Sequence, residues 1–249
     1  MVKQASPKTP AARAAAETAP SYWQAARQPL CCLVFLAPLV VGYEMGALML
    51  RPEVWPEQRL VAQRFIQQLA AWFGADAFWI PGAALVATLF IWHSLSRASW
   101  RLCGWTLLMM IAESLILALP LLVMGKLLQQ AAAGGDDAFH LQLILALGAG
   151  IYEELVFRFY LISGLIALLA AGFKMSRNSA TFVAASLAAL LFAACHFTPI
   201  GSESLNWPLF LMFAAAGGYL SLVFVLRGLG VATGCHVVFN LITLLTTTP

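Results

Sequence analysis

The chain has 249 residues, of which 61% are hydrophobic and 10% charged, and its formal net charge is +3. Soluble domains carry about 25% charged residues, so this composition excludes a soluble enzyme and a disordered chain, and the small net charge excludes a nucleic-acid partner. What remains is an all-α, polytopic membrane helix bundle, with room for six to eight spans at ~20 residues each.

Residues 1–28 are rich in Ala, Pro, Ser and Thr and are expected to form a disordered cytoplasmic tail. No apolar stretch follows Met1, so no signal peptide is expected. Apolar runs then occur at 29–50, 77–95, 103–124, 139–172, 179–198, 207–226 and 229–246, which predicts about seven transmembrane helices. Residues 57–73 mix Arg59, Gln63, Arg64, Gln67 and Gln68 with Leu60, Phe65, Ile66, Leu69, Trp72 and Phe73, a pattern suited to an interfacial helix. The run 139–172 is too long for one perpendicular crossing and must tilt or begin outside the membrane. Residues 29–138 are read as N-terminal transmembrane helices and 139–249 as a functional core.

The Lys/Arg distribution orients the bundle. With seven spans and a cytoplasmic N-terminus, Lys3, Lys8, Arg13, Arg27, Arg97, Arg101, Lys174, Arg177 and Arg227 lie inside, and Arg51, Arg59, Arg64 and Lys126 lie outside. This bias suggests an integral protein of a bacterial inner membrane. The five cysteines (Cys31, Cys32, Cys103, Cys195, Cys235) fall in apolar runs without a CxxC and read as small buried hydrophobes. Trp79, Trp92, Trp100, Trp105 and Trp207 suit interfacial belts. Gly148-Ala149-Gly150 and Gly217-Gly218 read as close helix packing or local breaks.

Ionisable groups inside a membrane are costly, about 2.5–3.5 kcal/mol each on insertion scales, and are a functional signal by default. Here they are Glu44, Glu113, Glu153, Glu154, Arg158, His196 and His236, with Asn240 as a polar neutral group. Glu154 and Arg158 stand i, i+4 and can pair. On an ideal helix Glu153 points away from that pair and is free for other work. Two carboxylates against one guanidinium leave a surplus negative charge that a proton, a metal or a histidine must offset. His236 and Asn240 also stand i, i+4, so one face carries an imidazole and a carboxamide. Any one of these could be an interfacial group or helix glue. Together, on three helices, they make an inventory for activating a water and stabilising an oxyanion. Ideal spans do not put them all at one depth; a break at Gly148–Gly150 or a strong tilt would reconcile them. Glu113 could line a cavity or bond a neighbouring helix, and Glu44 matches no motif.

The segments Glu153-Glu154-Leu-Val-Phe-Arg158, Phe192 to His196 and His236 to Asn240 present EExxxR, FxxxH and HxxxN in order. In this the sequence resembles the CAAX-protease and bacteriocin-processing (CPBP/ABI) family of intramembrane endopeptidases, over roughly 150–246. The resemblance implies that Glu153 acts as general base with His196 beside it. It implies that His236 and Asn240 hold the oxyanion and that Glu154 and Arg158 support the motif helix. The expected substrate is a membrane-associated protein or peptide, met at the lipid bilayer. The resemblance favours a route without a cofactor; the residue types also permit Zn²⁺ on Glu153, His196 and His236. Against zinc, no HExxH is present. Two other readings remain open on the residues: a proton-coupled transporter, which would show repeat symmetry that the sequence lacks, and a non-catalytic immunity or scaffold protein.

Overall fold

The computed structural model describes residues 21–49, 61–74, 79–128, 139–197, 200–201 and 203–247. Most of the expected tail and residues 57–60 of the expected interfacial helix lie outside these. After a single helical turn at Tyr22–Ala25 come α1 (Pro29–Met49), α2 (Val61–Ala71), α3 (Ile80–Ser96) and α4 (Gly104–Leu128). Then follow α5 (Phe139–Gly172), α6 (Arg177–Ala194), α7 (Trp207–Arg227) and α8 (Leu229–Thr247). Helices are the expected outcome for apolar runs in lipid, because each backbone N–H must find its acceptor within the segment.

Six of these helices are long and apolar enough to cross a membrane, so the molecule is an integral membrane protein. The expectation was about seven. The remaining candidate, α3, is an apolar helix of 17 residues, at the lower end of the ~17–25 residues that span a bilayer. It begins three residues after the expected start, at a Pro81 suited to a first turn, and ends where Arg97 turns left-handed with φ 50°.

α8 is the central helix. Of its apolar window 56% is buried, against 22–39% for the other five spans. It packs on α4, α5, α7 and α1, and its buried face begins with Leu229, Val231, Ala232 and Cys235. The contact with α5 is close because Gly150 lacks a side chain: a Cβ there would lie 2.9 Å from the backbone nitrogen of Val237. This bears out close packing at the Gly148–Gly150 stretch, and the helix does not break there. α5 runs as α-helix to Glu153, widens into a π-helix over Glu154–Ile162, and resumes as α-helix from Ser163.

α2 packs on the bundle through Ala62, Gln63, Ile66 and Gln67 and turns Arg64, Phe65, Gln68 and Leu69 outward. Tyr43 of α1 donates to Gln63 Oε1 at 2.7 Å. The mixed outer face fits a helix lying at the interface with its glutamines against the bundle.

The buried carboxylates outside the motifs have structural partners. Glu113 of α4 accepts from Arg227 Nε and, at 2.8 Å, from Arg227 Nη2, and also from the Tyr22 hydroxyl. The Trp23 ring covers the same guanidinium at 3.6 Å. The helical turn before α1 is thereby tied to α4 and α7. Glu44 accepts from Tyr152 at 2.8 Å. Of the cysteines, Cys31, Cys32 and Cys235 are buried as expected, Cys195 is half-buried, and Cys103 is exposed because it precedes the first turn of α4. His93 is buried at the end of α3 and meets the Trp100 ring edge-on at 4.2 Å.

Candidate active site

The π segment carries the first motif. A π-helix closes i→i+5 rings and is frequent at functional sites. It changes the angular bookkeeping that an ideal α-helix would give Glu153, Glu154 and Arg158. Glu154 is fully buried; its Oε1 forms an ion pair with Arg158 Nη1 at 3.1 Å and accepts from His236 Nδ1 at 2.9 Å. The expected i, i+4 pair is therefore present, with the histidine of α8 as a third member. Arg158 also donates from Nη2 to the Gly217 carbonyl at 3.3 Å and lies 4.3 Å over the Phe192 ring. One guanidinium thus joins α5, α6 and α7.

Glu153 is half-buried, and its Oε2 lies 3.9 Å from His236 Nε2. The imidazole of His236 accordingly sits between two carboxylates, bonded to Glu154 through Nδ1. An ionised carboxylate only accepts, so Nδ1 carries a proton. His196 lies in the turn just beyond α6, with Nδ1 2.8 Å from the Phe192 carbonyl, which also only accepts. Its Nδ1 donates, and in the neutral ring Nε2 remains as an acceptor. The ring is stacked on Phe213 of α7 at 4.1 Å and 20°. Asn240 donates one amide N–H to the Ala146 carbonyl of α5 at 3.0 Å, leaving its second N–H for other use.

Glu153, His196, His236 and Asn240 all line one cavity of about 150 Å³. Its walls are apolar, with Leu121 and Met124 from α4 and Phe192, Phe213 and Phe239. A buried water needs only about 10–15 Å³ of such volume, so several fit. The depth problem posed by straight spans does not arise, because all four residues reach this cavity without a break at Gly148–Gly150. Glu154 and Arg158 stand behind it. Among the described residues no group of three or more His, Cys, Asp or Glu is placed to hold a metal ion. The set Glu153, His196 and His236 is not such a group. Sequence reasoning missed the Gly217 and Ala146 carbonyls, which any residue could supply. It also missed Phe213, one apolar residue among many in α7.

Residues 136–242 match the family described as type II CAAX prenyl endopeptidase Rce1-like. The match covers under half of the 249 residues, and over that stretch the chain is similar to this family. The matched stretch contains all three motifs, from Glu153 to Asn240, and its residues build the cavity together with Leu121, Met124 and Gly125 of α4. No curated protein and no solved structure matches the chain.

Proposed function

We propose that this Rce1-like protein hydrolyses a peptide bond in a membrane-associated protein or peptide through a water activated by Glu153. The observation that carries this reading is the convergence of Glu153, His196, His236 and Asn240 on one small, water-sized cavity inside the bundle. Glu153 takes a proton from a water whose second hydrogen is held by His196 Nε2. The water oxygen attacks the peptide carbonyl carbon, and the carbonyl π pair moves onto oxygen. His236 and the free N–H of Asn240 meet that charge. The intermediate collapses, the C–N bond breaks, and Glu153 delivers its proton to the leaving amine.

The buried charges fit this assignment. For His236 to donate from Nε2 while Nδ1 is engaged with Glu154, the ring must carry both protons. Glu153, Glu154, Arg158 and that imidazolium then sum to zero charge, which answers the surplus carboxylate. Glu154 and Arg158 act as positioning residues. Glu154 holds the ring in place, and Arg158 holds Glu154 and the facing helices.

The cavity is built from the last turns of α4, the end of α6 with His196 beyond it, the first halves of α5 and α7 and the middle of α8. Arg27, Arg97, Arg101, Lys174, Arg177 and Arg227 lie at the other end of the bundle. By the positive-inside rule the N-terminus is cytoplasmic and the cavity lies nearer the non-cytoplasmic face. The substrate segment is accordingly approached from that side.

The test is comparative peptide mapping of native membranes from wild type, Glu153→Gln and His236→Gln, each with and without a strong chelator. Accumulation of one common precursor in both variants, unaffected by chelator, is the expected result. If chelator reproduces the variants, a metal route replaces the one above. If no precursor accumulates in either, hydrolysis at this cavity is wrong.

A further inference from the structure

A second cavity, of about 1110 Å³, opens among α3, α5, α6 and α7 at the opposite end of the helices that form the first. The two share no lining residue. Between them stand the Arg158 guanidinium, the Phe192 ring and the Gly217 carbonyl, which also accepts from Ser221 at 2.8 Å. Peptide hydrolysis in the small cavity leaves this large one without a role.

Its chemistry is two-part. The walls are Trp92, Phe159, Ile166, Phe182 and Phe224, and the rim carries Arg27, Arg177 and Asn178. No carboxylate lines it, and among the described residues neither arginine is in an ion pair. Among the described residues Arg27 donates only to the Val225 carbonyl, at 3.1 Å. Arg177 opens α6, so the free peptide N–H groups of the first turn add to its positive field. Pockets for compact ligands run to about 1,000 Å³; this volume, set among lipid-facing helices, suits a chain-like ligand with an anionic head.

The geometry points to a binding site for one anionic phospholipid, its phosphate against Arg27 and Arg177 and an acyl chain along Phe159, Ile166 and Phe182. Guanidinium forks pair with phosphate oxygens through parallel N–H donors, and basic pockets between membrane helices select anionic headgroups. The chain's own N-terminal tail is a poor occupant, because Lys3, Lys8 and Arg13 outnumber Glu17 and repel a cationic rim. The site lies at the arginine-rich end, so its lipid comes from the leaflet on that side. This assignment does not depend on which bond the small cavity hydrolyses.

The experiment is native mass spectrometry of the full chain in neutral detergent, titrated in parallel with phosphatidylglycerol, phosphatidylcholine and inorganic phosphate. One phosphatidylglycerol is expected to bind at least tenfold more tightly than phosphatidylcholine. Arg27→Gln with Arg177→Gln should remove that preference, and Arg27→Lys with Arg177→Lys should keep part of it. Ser186→Trp fills the cavity from α6 without touching either arginine and should abolish the adduct, which keeps the test decisive if the glutamine pair fails to fold. Equal binding of the two lipids, full displacement by inorganic phosphate, or wild-type binding by Ser186→Trp each overturns the assignment.

Discussion

Two clusters in this bundle are made from the same parts, a glutamate, an arginine and an aromatic neighbour, and they do different work. Around Glu113 both carboxylate oxygens are occupied, one by Arg227 Nε and the other by Arg227 Nη2 and Tyr22, and Trp23 closes over the guanidinium. None of these residues reaches the small cavity. Around Glu154 a single oxygen takes both Arg158 and His236, while Oε2 has no hydrogen-bond partner. A second carboxylate stands next to it, facing the same imidazole across a cavity. A buried ion pair by itself is weak evidence of either stability or function. What separates the clusters is surplus: the Glu113 cluster has no unused carboxylate, and the Glu154 cluster has one beside water-sized space.

That contrast can be broken by substitution. The largest effect is expected from Glu153→Gln, which keeps size and removes the base. Positioned general bases contribute about 10²–10⁴ in rate, so turnover should fall by that much with the thermal midpoint nearly unchanged. A variant that retains turnover would place Glu153 with the structural carboxylates. Glu154→Gln comes next, because Arg158 is then buried without its counter-charge. Breaking a buried pair from one side costs about 3–5 kcal/mol, so denaturation in detergent should show a large loss of stability together with lost activity. His236→Gln should slow turnover by about 10²–10³, the usual cost of one oxyanion donor, with KM little changed. Glu113→Gln is the counter-test. It removes charge-assisted hydrogen bonds worth about 1.5–3 kcal/mol, so the midpoint should drop while turnover per folded molecule stays at wild type. If Glu113→Gln instead lowered turnover of intact protein, the two clusters would be coupled and the contrast would fail.

Much of this was legible in the chain, for identifiable reasons. A greasy sequence makes each ionisable residue conspicuous, so Glu153, Glu154, Arg158, His196 and His236 stood out before any coordinates, and spacing alone paired Glu154 with Arg158. Span ends are the least legible part of a hydrophobic pattern, and α3 begins at Ile80 rather than at residue 77. Three things were hidden. The π segment depends on backbone hydrogen bonding that no composition encodes, and with it went the true direction of Glu153 relative to His236. The partner of Glu113 is 114 residues away in sequence, beyond any local pattern. The large cavity is an absence of atoms among α3, α5, α6 and α7, and its rim joins Arg27 to Arg177 across most of the fold.

The wide turn of α5 has a consequence for genetics. Within nine residues it sends Glu154 to α8, Arg158 to α7 and Tyr160 to a hydroxyl contact with Thr88 of α3. A uniform α-helix distributes its directions with one fixed beat, and this stretch does not. In a saturation scan, tolerance along α5 should follow the helical beat up to Glu153, lose it through Ile162, and resume out of step with the first half. Single-residue deletions would show the same phase slip from the other side. Removed within 154–162, one residue could let the stretch relax toward ordinary helix while swinging Arg158 away from Gly217. Removed in 163–172, where no residue is fully buried, it would shift Leu165 and Ile166 against α6 and leave the contacts of Glu154 and Arg158 in place.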